Sequence, residues 1–556
     1  MKKFTLAPLA ALILMGCGET TADNESAVEF YGTKHPFAKE SVYFLMTDRF
    51  VDGDKSNNHE TQGGEFGNAT HTFNRELKGP DGKTANVGYL GGDYQGVLNN
   101  ADYIADMGFT SIWLTPIWDN PDEAFTGGTP IEFGGMFKDG GKTGYHGYWG
   151  VNFFKEDEHW VSEGLGFKEY SQTLRDKHGI KTIMDIVANH GSPSFTMESQ
   201  QPKFGKIFDQ DGTLIADHQN VMPQDLDDNN PMHDFFNRKK DIAELSDFNQ
   251  DNPAVVDYLT RAYLHWIDQG ADAFRVDTIK HMPHHFWKQI SDNIRAEHPD
   301  FFMFGESFDY NANFIAQHTL EKNGAYSVLD FPLKEQMLKT FENKDSDFAD
   351  LAPALHLTHG PYRNVYELTT FYDNHDMARM NADDNGFIDA HNLLFTARGI
   401  PVVYYGSEMG FMRGTGEHAG NRNYFGQDNV ELAAQHQIHA KLSRIANLRK
   451  VTPTLQSGVQ LNLEFSGDKA SFLRVLGTKD NAEVSLVLLN KGDIAAEFSV
   501  ADLPQGRWQS LLSDDGMGIK GELKATVAPH DVQVWHYQGV LTDSLTEKLA
   551  YQMENK

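Results

Sequence analysis

The stretch Gly270-Ala-Asp-Ala-Phe-Arg-Val-Asp277, continued by Thr278-Ile-Lys280-His281, decides the fold. Its apolar part, Ala271 to Val276, is short and stops on a charged residue, which suits a strand rather than a helix. Arg275 and Asp277 are two residues apart and therefore share one face of an extended chain. The amphipathic stretch His284 to Glu297 follows. A second apolar run, Phe301-Phe-Met-Phe304, then leads into Gly305-Glu306. Strand, helix and strand in that order read as a parallel unit.

The unit recurs on both sides. Ser41 to Met46 runs into Thr47-Asp48-Arg49, Thr110 to Leu114 into Thr115-Pro116, and Lys181 to Met184 into Asp185. Further on, Val365 to Phe371 runs into Asp373 to Asp376, and Ile400 to Tyr405 into Gly406-Ser407-Glu408. Amphipathic stretches such as Tyr258 to Asp268 and Glu431 to Arg449 lie between them. This repetition predicts an α/β fold, a closed (β/α)8 TIM barrel with its site at the C-terminal ends of the strands. The barrel spans 38–190 and 245–453. Between these, 191–244 is long and polar and reads as an inserted loop domain B; a connection of that length is usually functional. After Pro453 the helical pattern gives way to short alternating strands, among them Ser471 to Leu476 and Glu483 to Leu489. They predict a C-terminal all-β sandwich domain over 454–540, followed by a polar tail over 541–556.

The chain has 79 acidic and 48 basic residues, a net charge of −31. Such a surface repels phosphate backbones, so no nucleic acid partner is expected. A single cysteine excludes an internal disulfide and a cysteine-based zinc site. That cysteine closes a short N-terminal pattern: Lys2-Lys3, an apolar run from Phe4 to Met15, then Gly16-Cys17. Leu14-Met15-Gly16-Cys17 resembles a bacterial lipobox, in which the cysteine carries lipid. The resemblance implies a lipoprotein signal peptide over 1–16, lipidation at Cys17, and a tether and N-terminal segment over 17–37. The expected location is the bacterial cell envelope, lipid-anchored at the outer membrane, its periplasmic face or the cell surface, or else secreted. An ordinary secretory signal with an incidental cysteine is the alternative. No other run approaches the ~18 apolar residues of a membrane span.

Four segments carry the chemistry: Asp185-Ile-Val-Ala-Asn-His190, Gly270 to Asp277, Phe304-Gly-Glu306-Ser307, and Phe371-Tyr-Asp-Asn-His375-Asp376. In this order and at these spacings they resemble the sequence regions of the α-amylase superfamily of retaining glycoside hydrolases. The resemblance runs from about Ser41 to Tyr537 and includes α-amylases and cyclodextrin glucanotransferases. It implies that Asp277 is the nucleophile, Glu306 the general acid/base and Asp376 the group that stabilises the transition state. The chemistry agrees with that assignment. Cleaving a glycosidic bond needs an acid for the leaving oxygen and a carboxylate across the sugar, ~5–5.5 Å away in a retaining enzyme. Glu306 must start protonated near neutral pH, so burial or a neighbouring carboxylate is expected to raise its pKa. By the same resemblance His190 and His375 bond sugar hydroxyls. Tyr148, in Tyr145-His-Gly-Tyr-Trp149, stacks on the sugar, and His146 assists. Lys280 and His281 form a leaving-side subsite, and Arg275 stands beside the nucleophile.

Metal ligands are also legible. Asp52-Gly-Asp-Lys-Ser-Asn-Asn58 and Gly91-Gly-Asp93 gather oxygen donors around glycine, as Ca²⁺ prefers. A polar Asx-turn loop is the plainer reading. The pattern resembles the N-terminal calcium site of cyclodextrin glucanotransferases, which implies Asp52, Asp54, Asn57, Asn58, the Gly91 carbonyl and Asp93 as ligands. A second, more general site of the superfamily implies Asn189, Asp247 and the His281 carbonyl. One or two Ca²⁺ ions are expected.

Lys280-His281 resembles members acting on α-1,4-glucans. The expectation is a monomeric, endo-acting α-amylase that hydrolyses starch, glycogen or maltodextrins with retention, through a covalent glycosyl-enzyme. Cyclodextrin or maltodextrin hydrolysis and glucanotransfer are the alternatives. A catalytically inactive glucan-binding surface lipoprotein is a second alternative, which loss of one of the three acids would favour.

Overall fold

The computed structural model describes residues 28–63 and 70–556. Eight parallel strands form the barrel: β1 Val42–Leu45, β2 Ser111–Leu114, β3 Lys181–Ile186, β4 Ala273–Val276, β5 Phe302–Gly305, β6 Ser327–Val328, β7 Thr369–Thr370 and β8 Ile400–Tyr404. They pair in the order β6-β5-β4-β3-β2-β1-β8-β7. A parallel bridge between Leu329 and Thr369 joins β6 to β7 and closes the ring. Phe44 stacks on Trp113 at 3.7 Å, and Trp113 meets Phe304 edge-on at 5.6 Å. These rings from β1, β2 and β5 are buried in the main core. Register then sets the site. Val276 pairs with Gly305, so the next residues, Asp277 and Glu306, leave their strands side by side.

Three local expectations need correction. β6 is two residues long, too short for a period to show, and the sequence reading missed it. Of Val365 to Phe371 only Thr369–Thr370 is strand, because Val365–Glu367 is a 3-10 turn capped by Asn364. Glu431 to Arg449 is not one helix but parts of two, Gly426–Ala433 and Gln437–Val451. The second starts where the His436 side chain accepts the Ile438 N–H, an N-cap that interrupts the amphipathic run.

The segment after β3 is more ordered than its composition suggests. His190–Pro193 pairs antiparallel with Leu245–Asp247, and Lys206–Phe208 forms a hairpin with Leu214–Asp217. Phe125 and Trp149 from the β2–β3 connection pack with Met197 and Phe204 of the insertion in a small core.

The C-terminal domain contains β9 Val459–Ser466, β10 Lys469–Thr478, β11 Asn481–Asn490, β12 Ala496–Ala501, β13 Gly506–Ser510, β14 Gly516–Ile519, β15 Glu522–Val527 and β16 Asp531–Gly539. One antiparallel sheet runs β10-β11-β16-β13-β14, with β9 and Glu29–Phe30 both along the edge of β10 away from β11. β12 and β15 form a second sheet, and Trp508, Phe498 and Leu523 belong to the core of this domain. The polar tail folds as a helix. Asp543–Asn555 is a helix capped by Thr542, and Leu545 and Leu549, four residues apart, bury one face.

The domain packs on the barrel through buried cations. Arg474 donates to the Thr396 and Ala397 carbonyls, 2.7 Å each, at the C-terminus of helix Asp384–Thr396. Its charge thereby meets the negative end of the helix dipole. His530 bonds Asp389 of the same helix through Nδ1 (2.7 Å) and Asp493 through Nε2 (3.1 Å). The hydrogen bond to Asp389, reinforced by Asp493, pushes the imidazole up to about 9, so it is charged at neutral pH.

Residues 28–37 are the described part of the N-terminal segment; the tether lies outside the described residues. Phe30 is fully buried, and Phe37 stacks on Phe302 at 4.3 Å. Cys17 and the lipobox lie outside the described residues. Among the described residues no helix is long and apolar enough to cross a membrane.

Candidate active site

Arg275 organises the site. Its fully buried guanidinium receives carboxylates from three strand ends. Nη1 donates to both oxygens of Asp185 at 2.9 Å and to Asp277 Oδ1 at 2.8 Å. Nη2 lies 2.7 Å from Glu306 Oε2. Strand register explains the arrangement, because Asp185 and Arg275 are directly paired across β3 and β4. Asp185 is further held by Tyr148 Oη (2.9 Å) and Trp113 Nε1 (3.1 Å).

Glu306 is 5% exposed, and its Oε1 has no hydrogen-bond partner. Burial, reinforced by Asp376 and Asp277, outweighs Arg275 and pushes the carboxyl up to about 8. Glu306 is therefore protonated at neutral pH, as a general acid must be. Asp376 behaves oppositely. Burial raises it, but the Arg422 and Arg275 guanidiniums hold it below the usual carboxylate range. Arg422 Nη2 donates to Asp376 Oδ1 at 2.6 Å, and His375 Nε2 lies 3.2 Å from Oδ2. Neighbouring carboxylates with opposite shifts are what separated acid and base duties require.

The carboxyls of Asp277, Glu306 and Asp376 line an open cleft of about 330 Å³ at the C-terminal ends of the strands. His146, Tyr148, His190, Asp277, Lys280, His281, Glu306, His375 and Asp376 all reach it. Tyr148 and His375 lie parallel, 5.4 Å apart and 2° from coplanar. Burial lowers His375 to about 3 and also lowers His190 and His146, so these rings are neutral. Nδ1 of His190 is buried without a partner. Lys280 donates to the Phe308 carbonyl at 2.6 Å. His281 is exposed, and its Nδ1 bonds Asp241 at 2.9 Å.

Several cleft residues were missed in the sequence: Phe137, Asp139, Lys142, Glu417 and Arg422. They come from glycine-rich loops without periodicity, and no motif marks them. Phe137 is 69% exposed and carries a φ of +54°, a strained conformation for a bulky side chain.

The two proposed metal sites differ in their donors. Among the described residues no group of three or more His, Cys, Asp or Glu is placed to hold a metal, so amide and carbonyl oxygens must contribute. At the first, Asp52 Oδ1, Asn57 Oδ1 and Asn58 Oδ1 are buried acceptors with no hydrogen bond. Gly91, at φ +88°, lets the chain pass where a Cβ would lie 2.4 Å from Asn58 Oδ1 and 3.0 Å from Asp52 Oδ2. Orphaned buried oxygens around a backbone turn fit a hard cation. Two of the expected ligands are otherwise engaged. Asp54 caps the turn Lys55–Asn57 through Ser56. Asp93 accepts N–H bonds from Gly53, Asp54 and Gly96. At the second, Asn189 and His281 converge on Asp241, an unforeseen carboxylate, rather than on Asp247. Asp247 accepts from Asn237 at 2.8 Å, and burial pushes it up to about 7. A cation beside these two carboxylates would relieve that cost, so the donor set again fits.

Residues 44–444 match the family described as Alpha amylase, catalytic domain. The chain belongs to the α-amylase family and is an enzyme of the α-amylase type. A cyclomaltodextrin glucanotransferase of Thermoanaerobacterium thermosulfurigenes is 28% identical over 538 residues, covering 90% of this chain and 68% of the relative. An α-amylase of Niallia circulans is 28% identical over 533 residues, 92% of each chain. Among solved structures, an α-amylase from Geobacillus thermoleovorans complexed with acarbose is 25% identical with a TM-score of 0.68, over 90% of this chain and 98% of that one. A cyclomaltodextrin glucanotransferase described as having a three-domain ABC distribution is 27% identical with a TM-score of 0.70, over 90% and 99%.

Proposed function

We propose that this enzyme is an endo-acting α-amylase that hydrolyses α-1,4-glucosidic bonds of starch-type glucans with retention. The observation that carries the reading is the pair of carboxyl groups on one buried guanidinium, Asp277 on Nη1 and a protonated Glu306 on Nη2. In the first step an Asp277 oxygen attacks the anomeric carbon, the bond to the leaving oxygen breaks, and the Glu306 proton passes to that oxygen. In the second, the Glu306 carboxylate takes a proton from water, whose oxygen attacks the same carbon and releases Asp277. Asp376, kept ionised by Arg422, faces the positive charge that develops on the sugar ring in the transition state of each step. Tyr148 offers an apolar ring face to the sugar.

Glucanotransfer is the second reading, and the presence of cyclomaltodextrin glucanotransferases among the relatives favours keeping it. There a sugar hydroxyl replaces water in the second step. Chromatography of the products of amylose, cyclodextrin and pullulan separates the two. Linear fragments from amylose, with pullulan untouched, are expected. Cyclic products from amylose would move the enzyme to the transferases, and attack on the α-1,6 bonds of pullulan would overturn the α-1,4 reading.

Ca²⁺ is proposed at the first site on Asp52, Asn57, Asn58 and the Gly91 carbonyl, and at the second between Asp241, Asp247, Asn189 and the His281 carbonyl. When bound, it neutralises these oxygens and ties together the loops that carry them. Chelation is expected to lower the melting temperature by several degrees, and added calcium to restore it. A melting curve indifferent to chelator would remove both ions. Lipid attachment through Cys17 in the cell envelope rests on the lipobox resemblance and is likewise a proposal.

A further inference from the structure

Packing does not account for the Phe137 side chain. At 69% it is the most exposed Phe, Tyr or Trp among the described residues, and it joins none of the three hydrophobic cores. Among the described residues no aromatic ring stacks on it, and no lysine or arginine covers its face. Yet it lines the cleft together with Asp277, Glu306 and Asp376. Its backbone is also unfavourable. At φ +54° Phe137 lies in the left-handed region, where a Cβ crowds the following carbonyl oxygen. Gly134 and Gly141 in the same loop, at φ +75° and +87°, enter that region freely. At Phe137 the fold gains no packing to offset the cost. Strain of this kind clusters where ligands are held.

The loop nevertheless holds the ring in a fixed place. At its base the Ile131 N–H donates to the Gly140 carbonyl at 2.9 Å, and the Gly140 N–H to the Thr129 carbonyl at 3.1 Å. Before Phe137, the Gly134 N–H donates to the His418 carbonyl at 2.6 Å. His418 Nδ1 lies 2.8 Å from the Gly135 carbonyl, and since a carbonyl only accepts, Nδ1 is the donor. After Phe137, Asp139 pairs with Lys142 at 2.9 Å, both of them buried. The chain is thus tied on either side of the ring. A ligand that covers the ring does not have to order the loop first.

We propose that Phe137 is a sugar-stacking platform of the cleft, a specificity-determining residue that binds a glucose unit other than the one on Tyr148. The inference rests on the proposed function, in which Tyr148 holds the sugar at the catalytic carboxyls. The C–H face of a pyranose is apolar, and laying it on the Phe137 ring removes both from water. A glucan long enough to reach both rings gains the second contact, whereas a single glucose does not. Stacking needs no chain end, so it serves internal units of a long glucan. The contact is the same before and during bond cleavage, so it strengthens binding without speeding the chemical step.

The test uses two substitutions in the full-length enzyme. Phe137→Gly removes the ring and takes the left-handed backbone without strain, so the loop keeps its shape. Phe137→Tyr keeps the ring. Binding of maltoheptaose is measured by calorimetry in the Glu306→Gln background, and cleavage kinetics with Glu306 intact. α-Glucosyl fluoride, one sugar long, is the control substrate. Phe137→Gly is expected to weaken maltoheptaose binding, and to raise its KM, about tenfold. Its kcat, and turnover of the fluoride, should stay within about twofold. Phe137→Tyr should restore most of the binding. If the loop rather than the ring mattered, Phe137→Gly would bind as the unmodified enzyme does. Maltoheptaose binding unchanged by Phe137→Gly therefore overturns the proposal. A loss that Phe137→Tyr does not recover, or one equal for both substrates, overturns it too. The binding arm keeps the two claims apart: ring-dependent binding without cleavage of maltoheptaose supports the platform while sinking the amylase reading.

Discussion

Glu306→Gln is expected to lower the rate on soluble starch by about a hundred- to ten-thousandfold, the usual worth of a positioned general acid. The side chain keeps its shape and loses its proton, so substrate binding should change little. A substrate whose leaving group needs no proton, such as an α-maltosyl fluoride, should lose much less in the first step and accumulate glycosyl-enzyme. The pH profile of the unmodified enzyme carries the same information. Glu306 is raised from the usual carboxylate range to about 8 by burial. The acid form is active, so activity persists through neutral pH and falls as pH rises through about 8. The ionised Asp376 sets the opposite requirement, and its lowered pKa moves the acidic loss of activity down. Starch hydrolysis undiminished in Glu306→Gln would remove Glu306 from its role. A basic limb unmoved by conservative changes at Asp376 would remove the neighbouring charge as a cause of the shift.

Arg275→Gln is expected to cost about 3–5 kcal/mol of stability together with nearly all activity, since breaking a buried ion pair leaves uncompensated charge. Here one guanidinium serves Asp185, Asp277 and Glu306, and its side chain is wholly out of water. Lysine should not rescue the variant. An ammonium is a point charge and cannot present two nitrogens in one plane to separate carboxylates. Asp185→Asn combined with Arg275→Gln should be less destabilised than the sum of the single changes, because the neutral amide no longer needs the cation. Denaturant unfolding of the four proteins measures that coupling. Additive losses would show that the carboxylates do not depend on the arginine.

Much of this was legible because barrel strands announce their ends. Val276 to Asp277 and Phe304 to Glu306 change from apolar to charged where the backbone leaves the sheet. A strand with period two also places Arg275 on the face of Asp277. Other features gave no such signal. β6 is only Ser327–Val328, and a period cannot be read from two residues. Asp185 is visible as a strand end, but its bond to Arg275 depends on the register between β3 and β4. The last helix reads as a polar tail because only Leu545, Leu549 and the polar Gln552 of its 13 residues are buried.

The sequence by itself determined the alternation of strands and helices, the order of the three acids, and the family that this order marks. All of these depend on local period and spacing along one stretch of chain. The tertiary structure decided what those acids are. Burial, against the pull of the shared guanidinium, holds Glu306 protonated, while Arg422 keeps Asp376 charged. It also decided which loops meet. Arg422 reaches Asp376 across 46 residues and His418 reaches Gly135 across 283. Such contacts follow from barrel closure, which brings the ends of distant strands to one rim, and no spacing in the chain encodes them.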